Sequence, residues 1–421
     1  MRHSATLTEN ILESNAQITG AQEEYLGVTF QPNKNFGIHR WYPYVEGFSG
    51  GFVSNVLNEF GVSSGTVFDP FGGCGTTAVV ASFRGIESVI ADVNPFMCFV
   101  TWAKTQRYQI LSLKQVKAHL KRKTNSYTSA QAPKDNLSSV FEGKNYFSND
   151  AICKIRFLKQ CIGRIRNFST RDFFKLALAS ILVKVSRLKR APDLKYKRDN
   201  EESPEVFQTF LQKLEQMQQD VVELEGYSTE ATAVICDNII APSRLSPQYD
   251  NSFDIVITSP PYLNGTNYCR NTKLELWVFD YLRSNKDLRE LRKQNVTAGI
   301  NSTRMRNGTK SRFPKVQKLV ARISENAYDR RIPVMVASYF NEMESALINT
   351  YRLLKNDCYC VLVIGDSFFG DTHIPTDVIL GNISERIGFR MEDNRIVRIR
   401  KSRSGFPLHE SILILQKKQN G

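Results

Sequence analysis

Short runs of apolar and β-branched residues recur along the chain, each closing on a polar residue and each followed by a stretch with helical spacing. Strands buried on both faces read as continuous apolar runs, and their alternation with helices predicts a mostly parallel α/β sheet. In order, the predicted strands cover residues 66–69, 88–92, 232–237, 253–258 and 359–365. Two later runs, 395–400 and 411–416, flank a turn at 404–408 that holds Gly405 and Pro407, and they read as an antiparallel pair closing the sheet.

Between the second and third predicted strands, residues 106–229 show helical periodicity and no strand-like alternation of comparable quality, the mark of a helical insertion. Helices are predicted there over 148–168, 170–188 and 204–224, with a loop at 124–136. A second block, 282–333, separates the fourth and fifth strands and reads as irregular. The expected organisation is therefore one domain in two parts, 1–105 and 230–421, around the insertion 106–229.

At 421 residues the chain exceeds what one hydrophobic core usually organises, which agrees with such an insertion. A hydrophobic fraction of 41% and a charged fraction of 23% are ordinary for a folded soluble protein and argue against a disordered, fibrous or membrane chain. Lys plus Arg number 56 against 42 Asp plus Glu, a formal charge of +14 that suits a phosphate-rich partner; charge alone leaves nucleic-acid binding open. The eight cysteines include no CxxC pair and no Cys/His cluster at zinc spacing, so neither a disulfide scaffold nor a structural metal is expected. Residues 1–20 lack the basic-then-apolar pattern of a signal peptide, and no apolar run reaches membrane-spanning length; a cytoplasmic protein without a membrane partner is the expectation.

Two motifs turn the argument from fold to chemistry. Residues 67–85, VFDPFGGCGTTAVVASFRG, run from a strand through Gly72, Gly73 and Gly75 into a helix. Such a turn lets backbone approach a ligand closely and aims the amides of a helix N-terminus at it. Asp92 ends the next strand about twenty residues further on, where a carboxylate can accept hydrogen bonds from both ribose hydroxyls of a nucleoside. No Lys follows the glycines, which excludes a phosphate-cradling P-loop. Tight strand-to-helix turns also occur without any ligand, so the turn alone leaves both readings open. The second motif, FDIVITSPPYLNG at 253–265, runs an apolar strand straight into two prolines and a tyrosine. The prolines remove two amide donors and leave carbonyls free to accept, while an aromatic ring beside them can stack on a flat base swung out of a duplex. An isolated Pro-Pro-Tyr more often just ends a strand; its place after the fourth strand favours the pocket edge.

Together, DPFGGCGTT, ADVNP and TSPPY resemble the amino-group DNA methyltransferases, the S-adenosylmethionine-dependent family that makes N4-methylcytosine and N6-methyladenine. The resemblance implies a Rossmann-like methyltransferase sheet, mostly parallel with antiparallel closing strands, carrying a helical insertion. It implies S-adenosylmethionine as cofactor, held by Asp69, Pro70, Phe71, Gly72, Gly73, Gly75 and Thr76 of the first motif, by Asp92 at its ribose, and by Asn94. Asp237 matches the region that contacts the cofactor's adenine, and the segment 39–52 is similar to one that closes over its methionine end, with Phe48 and Ser49 as contacts. Ser259, Pro260, Pro261 and Tyr262 are implied to hold the target base. The resemblance covers residues 36–105 and 230–420 and leaves the insertion unmatched. One departure concerns order: the spelling DPFxGxGTT is typical of members in which the Pro-Pro-Tyr motif comes first, whereas here the cofactor motif does. Family order therefore does not locate the target-recognition region.

The implied reaction is site-specific methyl transfer to the exocyclic amine of a base flipped out of double-stranded DNA, as in a restriction-modification system with a cognate restriction endonuclease for the same site. Ser before the prolines is the spelling more often seen for N4 of cytosine; Asp or Asn suits N6 of adenine, which is the alternative. Methylation at C5 of cytosine needs a nucleophilic cysteine placed directly after a proline, and none of the eight follows one. A protein or RNA N-methyltransferase is a further rival, without RNA-binding signatures in its favour. Intact Asp69, Asp92 and Ser259 argue against a non-catalytic DNA-binding protein on a methyltransferase scaffold.

Ligands of open parallel sheets bind beyond the carboxyl ends of the strands, so the excursion after the fourth strand is expected beside the base. That makes 282–333 the candidate target-recognition segment, and Arg304, Arg306 and Arg312, in an acid-free basic run, its candidate DNA contacts, with the insertion 106–229 as a second candidate DNA-contacting lobe. Two other basic sets, one around Arg395, Arg398, Arg400, Lys401 and Arg403 and one at Arg187, Lys189 and Arg190, read equally as DNA contacts or as solvated charge. The five histidines show no metal-ligand spacing, and no metal is expected.

Overall fold

The computed structural model describes residues 28–44, 46–131, 144–190, 194–198, 201–224, 232–263, 268–303, 310–402 and 404–419. At its centre lies a seven-stranded sheet made of β1 (Thr66–Asp69), β2 (Glu87–Asp92), β3 (Thr232–Cys236), β4 (Phe253–Thr258), β5 (Leu354–Gly365), β6 (Phe389–Lys401) and β7 (Pro407–Lys417). The spatial order is β6-β7-β5-β4-β1-β2-β3. Every neighbouring pair from β3 across to β5 is parallel, and β7 runs antiparallel between β5 and β6. The winding reverses between β1 and β4, and at such a switch point the loops diverge and leave a crevice at the carboxyl ends of the strands.

β1 and β4 are largely apolar because both of their faces are covered. Val67, Ile255 and Ile257 pack on one side with Phe52, Val53 and Val56 of α1 (Gly50–Glu59) and Val80 of α2 (Thr76–Phe83). Phe68 and Val256 turn to the opposite side. After β2, α3 (Pro95–Lys104) leads into the insertion, whose helices are α4 (Ile110–Asn125), α5 (Asn149–Gly163), α6 (Phe168–Val185) and α7 (Val206–Glu223). These share one apolar cluster with Phe96, Met97 and Val100 of α3 and with Leu274, Leu276 and Trp277 of the short helix α8 (Lys273–Val278). The insertion is thus continuous with the sheet domain and has no separate core. α6 is buried on nearly every side, as a central helix must be. It stops at Val185, short of the predicted end, because the Ser186 hydroxyl bonds the Val183 carbonyl at 2.8 Å and the Leu188 amide at 3.0 Å and turns the chain. Of the predicted loop 124–136, the first two residues belong to α4 and residues 132–136 lie outside the described residues.

The block 282–333 is not irregular. It contains α9 (Asn285–Gln294) and α10 (Pro314–Asn326) and runs into α11 (Arg331–Leu353). α9 buries only Leu288 and Leu291, so its apolar signal is sparse, although the reciprocal Ser284 and Asp287 cap at its start is visible in the sequence. Pro333 reads as a boundary, yet it is the third residue of α11, in the first turn, where an amide has no helical partner to lose. β5 begins at Leu354 rather than 359; its first half is polar, and Asp357, with φ 61°, breaks the alternation. α11 and α12 (Thr376–Ile387) close the second face, where Met335, Tyr339, Phe340 and Leu380 meet Phe68, Val256, Leu362 and Leu413. Among the described residues no helix is long and apolar enough to cross a membrane.

Candidate active site

The turn from β1 into α2 is built around Asp69. Its buried carboxylate accepts from the Phe71 amide at 3.1 Å, the Thr258 hydroxyl at 2.6 Å and the Thr77 hydroxyl at 2.7 Å. One side chain therefore joins the ends of β1 and β4 to the start of α2. Burial pushes its pKa up to about 6, against the pull of those bonds. Two glycines are sterically required. A Cβ on Gly72 would lie 2.0 Å from Ile90 Cγ2, and one on Gly75 would lie 2.6 Å from the Thr101 hydroxyl. Gly75 also has φ +79°, a left-handed conformation that favours glycine, and it starts α2. Thr101 donates to the Gly73 carbonyl at 3.2 Å and the buried Lys104 ammonium to the Cys74 carbonyl at 3.1 Å, so α3 holds the turn from behind.

Asp92, half-buried at the end of β2, faces that turn. Its carboxylate accepts from the Gly73 amide at 2.9 Å and the Asn94 amide at 2.7 Å, while burial pushes its pKa up to about 6. Asn94 caps α3 through the Phe96 amide at 3.1 Å and donates to the Thr272 hydroxyl at 2.9 Å, fixing the segment ahead of α8.

Between these elements lies a narrow cleft of about 90 Å³. Asp69 to Gly73, Thr76, Asp92 and Asn94 form its floor, with Asn238, Ile239 and Ile240 after β3 and Gln294, Asn295 and Val296 at the end of α9 on its flanks. Tyr44, Glu46, Gly47 and Phe48 roof it. Asn33, itself buried, ties that roof to the floor by donating to the Phe48 carbonyl at 3.1 Å and the Thr76 hydroxyl at 3.5 Å. The roof is also fastened to the insertion, where Trp41 donates to Asp220 at 2.8 Å and Arg40 pairs with the same carboxylate.

The Pro-Pro-Tyr motif follows β4. Ser259 and Pro261 line the narrow cleft, and Ser259 and Tyr262 line a basin of about 860 Å³ beside it. Tyr44, Glu46, Gly47 and Ser259 border both cavities, so the two meet at Ser259. The Tyr262 hydroxyl donates to Glu410 on β7 at 2.8 Å. Its ring lies so close to Gly365 that a Cβ there would stand 2.7 Å from it, with the Arg400 guanidinium 5.8 Å from the ring centre. Lys34, Arg398 and Arg400 supply cations to the basin walls, and Asp366 and Glu410 supply acids.

Several sequence candidates stand apart from the cleft wall. Ser49 caps α1 through the Phe52 amide at 3.1 Å. Asp237 closes its own loop, accepting from the amides of Asn238, Ser243 and Arg244 at 2.9, 2.8 and 2.6 Å, and the three residues after it line the cleft in its place. Gly75 and Pro260 likewise do not line it and act through the backbone they shape. Arg304 and Arg306 lie outside the described residues; Arg312 is exposed and its guanidinium pairs with Glu344 at 3.2 Å. Sequence reasoning missed Asn33, Lys104 and Thr272, which belong to no motif, and did not single out Tyr44 within the segment 39–52 or residues 294–296 within the block 282–333. Among the described residues no group of three or more His, Cys, Asp or Glu side chains could hold a metal ion.

A glycine turn after the first strand, an acid closing the second and a crevice at the switch point define a Rossmann-like α/β protein whose cleft, with the Asp92 carboxylate as acceptor for ribose hydroxyls, suits a nucleoside such as S-adenosylmethionine. Relatives narrow the class. The chain is 27% identical to the type II methyltransferase M.BsoBI of Geobacillus stearothermophilus, over 86% of this chain and 81% of that one. It is 24% identical to M.AvaI of Anabaena variabilis, covering 87% and 82%, and 21% identical to M.MvaI of Kocuria varians, covering 76% and 74%. No family model matches the chain. It is a relative of the type II methyltransferases along most of its length, consistent with the amino-group family whose motifs it carries.

Proposed function

We propose that the protein methylates the exocyclic amine of a base flipped out of double-stranded DNA, using S-adenosylmethionine, and that the base is cytosine and the atom N4. The observation that carries this reading is the junction at Ser259 between a narrow nucleoside-like cleft and a basin large enough for a nucleotide. A methyl donor in the first and a base in the second would meet there. The relatives are type II methyltransferases, which supports a modification role in the cytoplasm beside a cognate restriction endonuclease.

Asp92 accepts the ribose hydroxyls, and Phe71, Ile239 and Ile240 offer apolar surface to the adenine. The glycine turn, with no side chain at Gly72 or Gly73, lets backbone lie against the rest of the cofactor, with Asp69, Gly75 and Asn94 fixing the shape of the turn. The cleft is small for a nucleoside, at about 90 Å³, so Tyr44 and Glu46 to Phe48 lift as the cofactor enters. When bound, S-adenosylmethionine supplies a methyl group on a sulfonium, which leaves as a neutral thioether as the new bond to nitrogen forms. The amine is a poor nucleophile because its lone pair is delocalised into the ring. Hydrogen bonds from it to the Ser259 hydroxyl and the Pro260 carbonyl favour a tetrahedral nitrogen with its lone pair directed at the cleft, and its surplus proton passes to water in the basin. Tyr262, held by Glu410 and Gly365, stacks on the base. Arg312, together with Arg304 and Arg306, contacts the DNA from the 282–333 block.

Transfer of labelled methyl groups from S-adenosylmethionine to duplex DNA tests the reading. Ser259→Ala is expected to lower turnover by roughly a hundredfold, the usual cost of one oriented polar group, with cofactor affinity unchanged. Near-normal turnover would remove the Ser259 hydroxyl from the mechanism.

A further inference from the structure

The insertion carries a small antiparallel ribbon, Leu188–Lys189 paired with Lys195–Tyr196, whose charge the mechanism above does not use. Arg190, one of the three basic residues that the sequence groups here, belongs to the framework. It is largely buried and donates to the Tyr42 hydroxyl at 2.9 Å, to Glu275 at 2.8 Å and to the Asn271 carbonyl at 3.0 Å. Tyr42 lies two residues from Tyr44, and Asn271 directly precedes Thr272; Tyr44 and Thr272 both line the cleft. The ribbon is therefore pinned beside the cleft mouth.

Its outer side is basic. Arg187, Lys195 and Arg198 are exposed, and the neighbouring segments add Lys144 and Lys273. Backbone bonds join the pieces: the Arg187 amide donates to the Tyr146 carbonyl at 2.7 Å, and the Lys197 amide to the Arg187 carbonyl at 2.8 Å. Aromatic rings lie between the cations. Lys273 sits 4.6 Å from the centre of the Tyr146 ring, Lys144 5.5 Å from Trp277, and Tyr146 is 5.9 Å from Tyr196, which is 55% exposed. Of the acids that follow the ribbon, Glu201 pairs with Lys189 at 2.7 Å and accepts from the Arg198 amide at 3.4 Å, and Glu205 pairs with Lys154 at 2.9 Å, which leaves Lys144, Arg187 and Lys195 outside the salt bridges of the described residues. Like charges gathered on one exposed surface repel each other, and a polyanion relieves that repulsion.

We propose that this ribbon is a DNA-contacting arm that takes the phosphate backbone of the duplex beside the target base, with Lys144, Arg187 and Lys195 as phosphate contacts and Tyr196 against the sugar edge. The inference rests on the DNA substrate proposed above. The arm supplies affinity without sequence preference, because phosphates carry no sequence information.

The test is a salt titration of full-length protein binding a fluorescent duplex of arbitrary sequence. Lys144→Ala/Arg187→Ala/Lys195→Ala is expected to reduce the slope of log K against log salt by about 2 to 3, at roughly 0.9 for each phosphate that no longer meets a cation. S-adenosylhomocysteine affinity, measured on the same variant, is expected to stay at the wild-type value and reports that the fold is intact. The charge-conserving variant Lys144→Arg/Arg187→Lys/Lys195→Arg is expected to keep the slope. A wild-type slope in the alanine variant overturns the arm alone. A wild-type protein that binds no duplex overturns the arm and the proposed substrate together.

Discussion

The acids of the cleft behave differently toward folding and toward ligand. Burial raises the pKa of Asp69 and Asp92 to about 6, above that of an aspartate in an unfolded chain. Their ionised forms therefore cost the fold stability above that pH, and the cost is relieved as pH falls through 6. Cofactor binding runs in the opposite sense, because ribose hydroxyls donate to an ionised Asp92, so affinity is expected to hold from pH 8 to 7 and fall as pH drops below about 6. Asp92→Ala is expected to weaken S-adenosylmethionine binding at pH 8 by about 1.5 to 3 kcal/mol, the worth of hydrogen bonds to a charged acceptor, and to flatten the acid limb. Calorimetry across that range checks both, and an unchanged affinity would remove Asp92 from the site. At this scale the cleft positions of Asp92 and Ser259 were legible because Asp92 ends a strand and Ser259 directly follows one, each inside a distinctive motif. Asn33 and Lys104 were not, since their positions depend on contacts across 43 and 30 residues of sequence that no local spacing encodes.

Among the elements, the insertion shows how far periodicity reaches. It announced α5, α6 and α7, whose apolar faces recur at helical spacing, but not that they would pack on α3 and α8 as one body. That union depends on single polar residues, Arg190 above all. Its guanidinium neutralises Glu275, whose side chain is wholly buried. Arg190→Ala is expected to lower stability by about 3 to 5 kcal/mol, the cost of leaving a buried charge unpaired, and Arg190→Met/Glu275→Leu to recover much of that loss. Urea unfolding of the two variants measures the difference; equal losses would show that packing rather than charge makes the joint. The block after β4 misled for the opposite reason: α9 buries two leucines and α11 opens with a proline in its first turn, so neither resembles a helix by pattern alone.

For the molecule as a whole, the composition of the sheet was readable in the sequence and the order of its strands was not. Alternation identified the strands, but the placing of β1 beside β4, with Val67 opposite Ile255 and Phe68 opposite Val256, is a product of chain winding. That pairing is what lets Thr258 reach Asp69 and brings the glycine turn to Ser259, so that two motifs far apart in the chain border one junction. Methyl transfer at that junction would leave a chemical record in the substrate. DNA from cells expressing the full-length chain, digested to nucleosides and analysed by mass spectrometry, is predicted to contain N4-methylcytosine that is lost with Ser259→Ala. Methylated DNA in which N6-methyladenine alone appears would contradict the choice of cytosine, and DNA free of any methylated amine would contradict amino methylation itself.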